Sequence, residues 1–197
     1  MENLKGRSLR DITGKNFIDW YGTDEHLNGA GHKFFKDLGK LLVFYLLVRN
    51  VDRFIFWQLP GIGELESALG NIGNIFIKNS KKELIVIDSL TDMNIEVVEY
   101  AKAVKEILAR TLNASPDNLI DRGQQTLELI GYEVKRNSQT LILEGINEGI
   151  NYLYNLAEEE TLEHIKQESL RQLSKEEERN INTLSLFIKQ IVEQIKT

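Results

Sequence analysis

Three polar residues next to apolar segments, Asp52, Asn74 and Asp88, are the strongest candidates for chemistry in this chain. Asp52 comes shortly after the apolar run 41–48, and the other two lie at the outer ends of a pair of apolar segments. Carboxylate and amide oxygens are hard ligands that Mg²⁺ binds together with phosphate oxygens. Phosphoryl transfer needs such ligands and a carboxylate that faces the attacking hydroxyl. The three residues therefore predict a magnesium-dependent phosphoryl-transfer site.

Asn74 and Asp88 bracket a predicted β-hairpin. The apolar segments 75–77 and 84–87 flank the polar turn 79–82, a pattern typical of two antiparallel strands. We expect the isoleucines of both strands to anchor the hairpin: Ile75, Ile77, Ile85 and Ile87.

The predicted register of this hairpin brings the two metal ligands together. If Lys78 pairs with Leu84, Asn74 stands opposite Asp88, because strands pair residue against residue. Directly opposed side chains on one face lie within about 5.5 Å of each other at Cβ. That separation is small enough for both side chains to share one ion.

A buried helix and a loop are predicted before the hairpin. Apolar residues recur at three- and four-residue steps from Gly31 to about Arg53, which predicts a helix. Its second half is apolar on almost every side, as in a core helix, and it would deliver Asp52 to the site. Pro60 and several glycines predict a loop over residues 58–73.

The chain after residue 94 is predicted to be mostly helical. Residues 95–112 have the amphipathic pattern, and Ser115-Pro116-Asp117 is a helix start signal. A second short hairpin is predicted over residues 132–143, with helix again from near Ile146. A last helix begins at Ser174, and an apolar stripe would pack it on the domain: Ile181, Leu184, Ile188, Ile191 and Ile195.

The elements predicted along the chain indicate one domain of the α+β class, mostly helical. The chain has 197 residues, of which 42% are hydrophobic and 27% charged, as is ordinary for a globular protein. We expect an irregular segment over 1–30, a core over 31–112 and a helical C-terminal part over 113–197.

Charge and hydropathy argue against several classes of partner. The net charge of −6 supplies no basic field for nucleic acid or for an anionic membrane. The longest apolar run, 41–48, is far shorter than the ~18 residues that span a bilayer. The N-terminus has no apolar signal core, and the chain has no cysteine. We therefore expect no membrane span, no signal peptide, and a location in the cytoplasm or in a host cytosol.

Three short segments around the candidate residues carry a family resemblance. They are Asn50-Val51-Asp52-Arg53, Gly70-Asn71-Ile72-Gly73-Asn74-Ile75 and Leu84-Ile85-Val86-Ile87-Asp88-Ser89. They resemble the catalytic lobe of the actin-fragmin kinase group, an atypical branch of the protein-kinase-like fold related to the phosphoinositide kinases. These enzymes have Asp-Arg where typical kinases have His-Arg-Asp, and the wide spacing before Asn74 fits their long insert.

The resemblance implies a C-terminal kinase lobe with a catalytic hairpin and a helical C-terminal half. It implies catalytic roles for the pair Asp52-Arg53, with Asp52 as the base, and magnesium-binding roles for Asn74 and Asp88. Ser89 and the leucine after it replace the usual Phe-Gly that follows the second aspartate. The implied cofactors are ATP and Mg²⁺.

The first residues resemble the hinge between the two lobes of a kinase. The segment is Glu2-Asn3-Leu4-Lys5-Gly6-Arg7-Ser8-Leu9. The resemblance implies that backbone groups around Glu2 and Leu4 bond the adenine. The sequence contains neither the Gly-rich loop nor the strand lysine of an N-terminal lobe.

The expected function is phosphoryl transfer from Mg·ATP to a protein or lipid hydroxyl, with the N-terminal lobe supplied separately. A protein partner or self-association would then cover the apolar face where that lobe packs. The alternative is a catalytically inactive kinase-like module that binds a partner.

A lesser alternative is an esterase of the SGNH type. Residues 23–28 resemble its Asp-x-x-His block, 88–91 its nucleophile block, and 145–148 faintly echo its Gly-x-Asn-Asp block. The order of the blocks is permuted, although a Ser–His–Asp site needs only proximity in space. This alternative predicts a reactive Ser89.

Two further site types are weaker. Gly14 and Lys15 hint at a P-loop, but the remainder of that motif is absent. His26 and His32, with Asp24 or Asp37, could bind a metal, but histidines six residues apart do not share a helix face.

Overall fold

A computed structural model of the chain describes residues 6–47, 75–78, 83–86, 97–112, 127, 130–156, 167, 182, 185, 186 and 188–193. The strands are β1 (Gly6–Ser8), β2 (Ile75–Lys78) and β3 (Leu84–Val86). The helices are α1 (Gly14–Tyr21), α2 (Gly29–Leu47), α3 (Val97–Leu112) and α4 (Arg136–Leu156), with 3-10 turns at Leu9–Asp11 and Asp24–His26. The predicted α+β class with mostly helical content is confirmed.

The three strands form one antiparallel sheet in the order β1-β2-β3. The predicted hairpin is present, but its predicted register is wrong by one residue. Ile77 pairs with Leu84, and the Lys78 N–H donates to the Glu83 carbonyl at 2.8 Å. This register sets apolar Leu84 opposite fully buried Ile77 instead of exposed Lys78, and a shift of one residue would exchange the two faces of the strand.

The register removes the geometric argument that placed Asn74 opposite Asp88, because that argument required Lys78 to pair with Leu84. Ile75 and Ile77, two of the isoleucines predicted to anchor the hairpin, are fully buried, and Ile85 pairs with Phe76.

The N-terminal segment, predicted to be irregular, forms β1 and α1 instead. Thr13 caps α1, because its hydroxyl accepts a hydrogen bond from the Asn16 N–H at 3.3 Å. Gly22 ends the helix at φ +89°, and its N–H donates to the Ile18 carbonyl at 2.8 Å. The Gly, Asn and Asp content of this segment is typical of irregular structure, but Thr13 and Gly22 are helix-cap signals.

Helix α4 replaces the hairpin predicted over residues 132–143. It begins at Arg136 and continues unbroken through Gly145 and Gly149. Its buried residues recur at helical spacing, and α4 therefore places one apolar face in the core: Leu141, Ile142, Ile146, Ile150 and Leu153.

Helices α2 and α4 cross with their backbones in contact. A Cβ added to Gly39 would lie 2.1 Å from the carbonyl oxygen of Ile142, and one added to Gly145 would lie 2.1 Å from that of Lys36. Such distances leave no room for a side chain at either glycine. Glycine in a helix interior lowers helix stability by about 1 kcal/mol relative to alanine. The close crossing explains why glycine occupies these positions, although composition alone would mark it as a helix breaker.

The two crossing helices run in the same direction. Lys36 of α2 lies against Gly145 of α4, and Val43, two turns later, lies against Gly149. Positions along the two helices therefore advance together. This parallel pair forms the centre of the described structure.

An aromatic cluster packs α1 against α2. The Phe17 ring lies 4.6 Å from Tyr21, 5.0 Å from Phe34 and 4.6 Å from Tyr132, measured between ring centroids. These separations suit favourable edge and tilted contacts. The cluster joins the N-terminal helix to the segment that leads into α4.

The end of the chain also contributes to the core. Residues 188–193 are helical, and Ile188 and Ile191 are buried. This confirms that part of the predicted apolar stripe packs on the domain. The other predicted stripe positions, the start signals at 115–117 and Ser174, and the loop 58–73 lie outside the described residues.

We expect Gly39→Ala to lower the free energy of unfolding by about 2 kcal/mol or more, because the new methyl group must separate α2 from α4. Equilibrium urea unfolding measures this. The matched control is Gly29→Ala, since nothing lies within 4 Å of its added Cβ. Because alanine is the better helix former, the control should be neutral or slightly stabilising. Equal losses in both variants would contradict a backbone-contact role for Gly39.

Candidate functional site

The residues predicted to carry chemistry lie outside the described residues, as does Ser89, so their roles stay predictions: Asp52, Arg53, Glu2, Leu4, Asn74 and Asp88. The structure does describe the elements attached to them. Strand β2 begins immediately after Asn74, and β3 ends two residues before Asp88. Strand β1 begins two residues after Leu4.

The sheet separates these attachment points into two groups. Ile75 pairs with Val86, so the start of β2 and the end of β3 lie at the same end of the sheet. Gly6 pairs with Lys78, so the start of β1 lies at the opposite end. The predicted metal ligands are therefore joined to one end of the sheet, and the predicted base-binding segment is joined to the other.

Burial alternates along β2. Ile75 and Ile77 are fully buried in the core, whereas Phe76 is half-buried and Lys78 is exposed. Successive side chains of a strand point to opposite faces, so Phe76 lies on the face of β2 opposite to the two isoleucines.

Helix α2, which precedes Asp52 in the chain, is fixed near its C-terminal end. The Tyr100 hydroxyl of α3 donates a buried hydrogen bond of 2.6 Å to the carbonyl of Leu46. This hydrogen bond holds α3 against the C-terminal part of α2.

The most extensively hydrogen-bonded carboxylate among the described residues is Asp24. It is buried and accepts hydrogen bonds from the N–H groups of Lys135 at 3.2 Å, Asn137 at 3.1 Å and Ser138 at 2.8 Å. The Ser138 hydroxyl donates to it as well. The Asn137 side-chain amide donates to the Asp24 carbonyl at 2.9 Å. Asp24 thus closes the N-terminus of α4, where N–H groups have no partner within the helix.

The two esterase-like blocks within the described residues have structural roles. The Asp24 carboxylate is committed to α4, and His26 is exposed. Asn28 caps α2 by accepting from the Gly31 N–H at 2.9 Å. The 145–148 block lies inside α4, where its glycine makes the helix crossing.

The weaker site types also find structural explanations. His32 is exposed, and Asp37 pairs with Lys33 at 2.5 Å. In the part of the chain that the structure describes, no three His, Cys, Asp or Glu side chains gather to hold a metal. A Cβ on Gly14 would lie 2.2 Å from the carbonyl oxygen of Gly131, so this glycine serves close packing.

Ion pairs connect α2 and α4 along one side of their crossing. The Lys36 Nζ lies 2.8 Å from Glu144, and the Lys40 Nζ lies 2.7 Å from Glu148. The hydrogen bonds that Lys36 donates to Glu144 and Glu148 raise the pKa of Lys36, and the hydrogen bond that Glu148 accepts from Lys40 lowers the pKa of Glu148. These groups are partly exposed, so solvent screens the pairs, and they orient the helices more than they stabilise them.

The hydroxyl of Tyr132 is buried. It has no hydrogen-bond partner among the described residues. Burial, assisted by the negative charge of Asp24, raises the pKa of Tyr132 above its usual value. The phenol therefore stays neutral near physiological pH.

No family model matches this chain, and no curated protein matches it. None of the helices within the described ranges has the length and the apolar content that a bilayer crossing requires.

Asp24→Ala should lower the free energy of unfolding by about 2–4 kcal/mol, because it leaves buried N–H donors at the start of α4 without an acceptor. Thermal and urea unfolding measure the loss. The neighbouring Glu25→Ala is the control. Glu25 is exposed and forms a surface ion pair of 3.5 Å with the Lys135 Nζ, so no measurable change in stability is expected. A stable Asp24→Ala protein would refute the capping role.

Two buried tyrosines should respond in opposite ways to removal of the hydroxyl. Tyr132→Phe should leave stability unchanged or raise it by up to about 1 kcal/mol, since its buried hydroxyl gains no hydrogen bond on folding. Tyr100→Phe should lower it by about 1–2 kcal/mol, because the Leu46 carbonyl loses its donor. Urea unfolding of both variants tests this, and a destabilised Tyr132→Phe would reveal a partner for its hydroxyl.

Proposed function

We propose that this chain is a kinase-like catalytic lobe that binds Mg·ATP and transfers its γ-phosphoryl group to a protein or lipid hydroxyl. The observation that carries the proposal is the strand arrangement. The positions proposed to bind magnesium attach to one end of the sheet, and the segment proposed to bind adenine attaches to the other. A nucleotide lying along the sheet would have its base at the end proposed to bind adenine and its phosphates at the end proposed to bind magnesium.

The proposed roles follow from this arrangement. Asn74 and Asp88 would hold the magnesium ion, which would supply positive charge to the nucleotide phosphates. Asp52 accepts the proton of the acceptor hydroxyl as the acceptor oxygen bonds to the γ-phosphorus and ADP leaves. Backbone groups around Glu2 and Leu4 hold the base.

Phe76 gives this proposal a second support. It is half-buried on β2, between the two ends of the sheet to which the proposed binding residues attach. An aromatic ring provides a flat apolar surface on which a base can stack.

The structural roles of Asp24 and Gly145 favour the kinase-like function over the esterase. The block 23–28 has Thr23 where the esterase motif has its aspartate, and the neighbouring Asp24 carboxylate is occupied by the α4 N-terminus. The inactive, partner-binding lobe remains the second candidate, because it needs the same fold without the nucleotide.

Isothermal titration calorimetry with ATP, with and without Mg²⁺, tests the proposed site. We expect magnesium-dependent binding by the wild-type chain. Asn74→Ala and Asp88→Ala should each weaken binding by about tenfold or more, since each removes a proposed metal ligand. Asp37→Asn, a change of a surface carboxylate on α2, should bind like the wild type.

Circular dichroism must first show that every variant is folded. Absence of binding by the folded wild-type chain would overturn the autonomous nucleotide site and favour the partner-binding lobe. Binding that persists in both ligand variants would place the nucleotide elsewhere. Labelling of Ser89 by a fluorophosphonate probe would support the esterase instead.

A further inference from the structure

The outer surface of the α2–α4 pair carries two columns of opposite charge. Lys36 and Lys40 lie one turn apart on α2, and Glu144 and Glu148 lie one turn apart on α4. All four side chains are between 33% and 49% exposed, so each can also contact a group that approaches from solvent. We call this surface, together with Phe44 and Tyr152, the α2–α4 ridge.

Two exposed aromatic side chains continue these columns. Phe44 lies four residues after Lys40, and Tyr152 lies four residues after Glu148, which places each on the same helix face one turn further along. Phe44 is 45% exposed and Tyr152 is 63% exposed. An aromatic pair beside a block of alternating charge has the composition of an interface centre with a polar rim.

The pattern on the ridge is self-complementary. Because α2 and α4 run in the same direction, a second copy rotated by 180° about an axis parallel to them places each α2 over the partner's α4. Lysines then face glutamates, and the Phe44 position faces the Tyr152 position, twice in each dimer. With the axis perpendicular to the helices, the lysine positions would face the aromatic end of α2, so only the first arrangement matches both charge and apolar character.

We propose that the α2–α4 ridge binds a second copy of this chain in a symmetric dimer. The occupant is identified by charge: a partner must offer acid opposite α2 and base opposite α4, beside aromatic groups, and the ridge itself offers this arrangement. The glycine crossing is necessary for it, because it brings the two columns close enough for single ion pairs to connect them. None of the ridge residues belongs to the sheet.

Sedimentation equilibrium of the full chain over a wide concentration range tests the proposal. The wild type should show a concentration-dependent monomer–dimer equilibrium. Phe44→Ser and Tyr152→Ser should each raise the dimer dissociation constant by about tenfold or more. Leu186→Ser, which changes a residue that is 58% exposed outside the ridge, should behave like the wild type.

A charge exchange tests the arrangement itself. Lys36→Glu with Lys40→Glu makes both columns acidic, and Glu144→Lys with Glu148→Lys makes both basic. Each double variant should be monomeric, and an equimolar mixture should form a heterodimer, because every acidic column then faces a basic one. Circular dichroism and thermal unfolding verify that both double variants are folded.

Three results would overturn the proposal. One is a wild type that stays monomeric at every concentration, which would leave the ridge to a different protein partner. Another is a dimer that neither aromatic substitution weakens. The third is a mixture of folded charge variants that stays monomeric.

Discussion

The backbone contact between α2 and α4 is the constraint on which the remaining described structure depends. Gly39 and Gly145 each bring a helix directly against a carbonyl oxygen of the other. Packing at this distance fixes the spacing of the helices, and protein interiors do not adjust continuously to added volume. This helix pair carries the ion-pair columns, and the aromatic cluster and the sheet are positioned against it.

The parallel direction of the two helices creates an electrostatic problem that Asp24 resolves. Parallel neighbours bring like ends of their dipoles together, with partial positive charge at both N-termini. The Asp24 carboxylate supplies negative charge and acceptor oxygens at the start of α4, only five residues before α2 begins. Asn28 satisfies an N–H group of α2. One short segment therefore closes both helices.

Sequence periodicity predicted the elements whose apolar residues repeat without interruption. Helices α2 and α3 are present over the described parts of their predicted ranges, and both strands of the hairpin exist. The hairpin register failed because apolar alternation alone left a one-residue choice open. The helix from near Ile146 was predicted, but the first part of α4 was predicted as a hairpin, because Asn137 and Ser138 are turn-forming residues whose place at a helix start depends on Asp24, distant in the sequence. No local sequence pattern indicated the role of Asp24, since its carboxylate accepts hydrogen bonds from N–H groups more than 110 residues away in the chain. The residues of the kinase-like site lie outside the described residues, so the roles proposed for them rest on their short sequence motifs.

The Asp24 cap also has a consequence for synthesis of the chain. Its donors at Lys135, Asn137 and Ser138 leave the ribosome more than a hundred residues after Asp24 does. The Phe17–Tyr132 ring contact spans a similar separation. Non-local contacts of this kind must await the later segment and slow folding. A nascent chain that ends before α4 therefore leaves the glycine face of α2 and the ring of Phe17 without their partners, and the N-terminal helices complete their packing only late in translation.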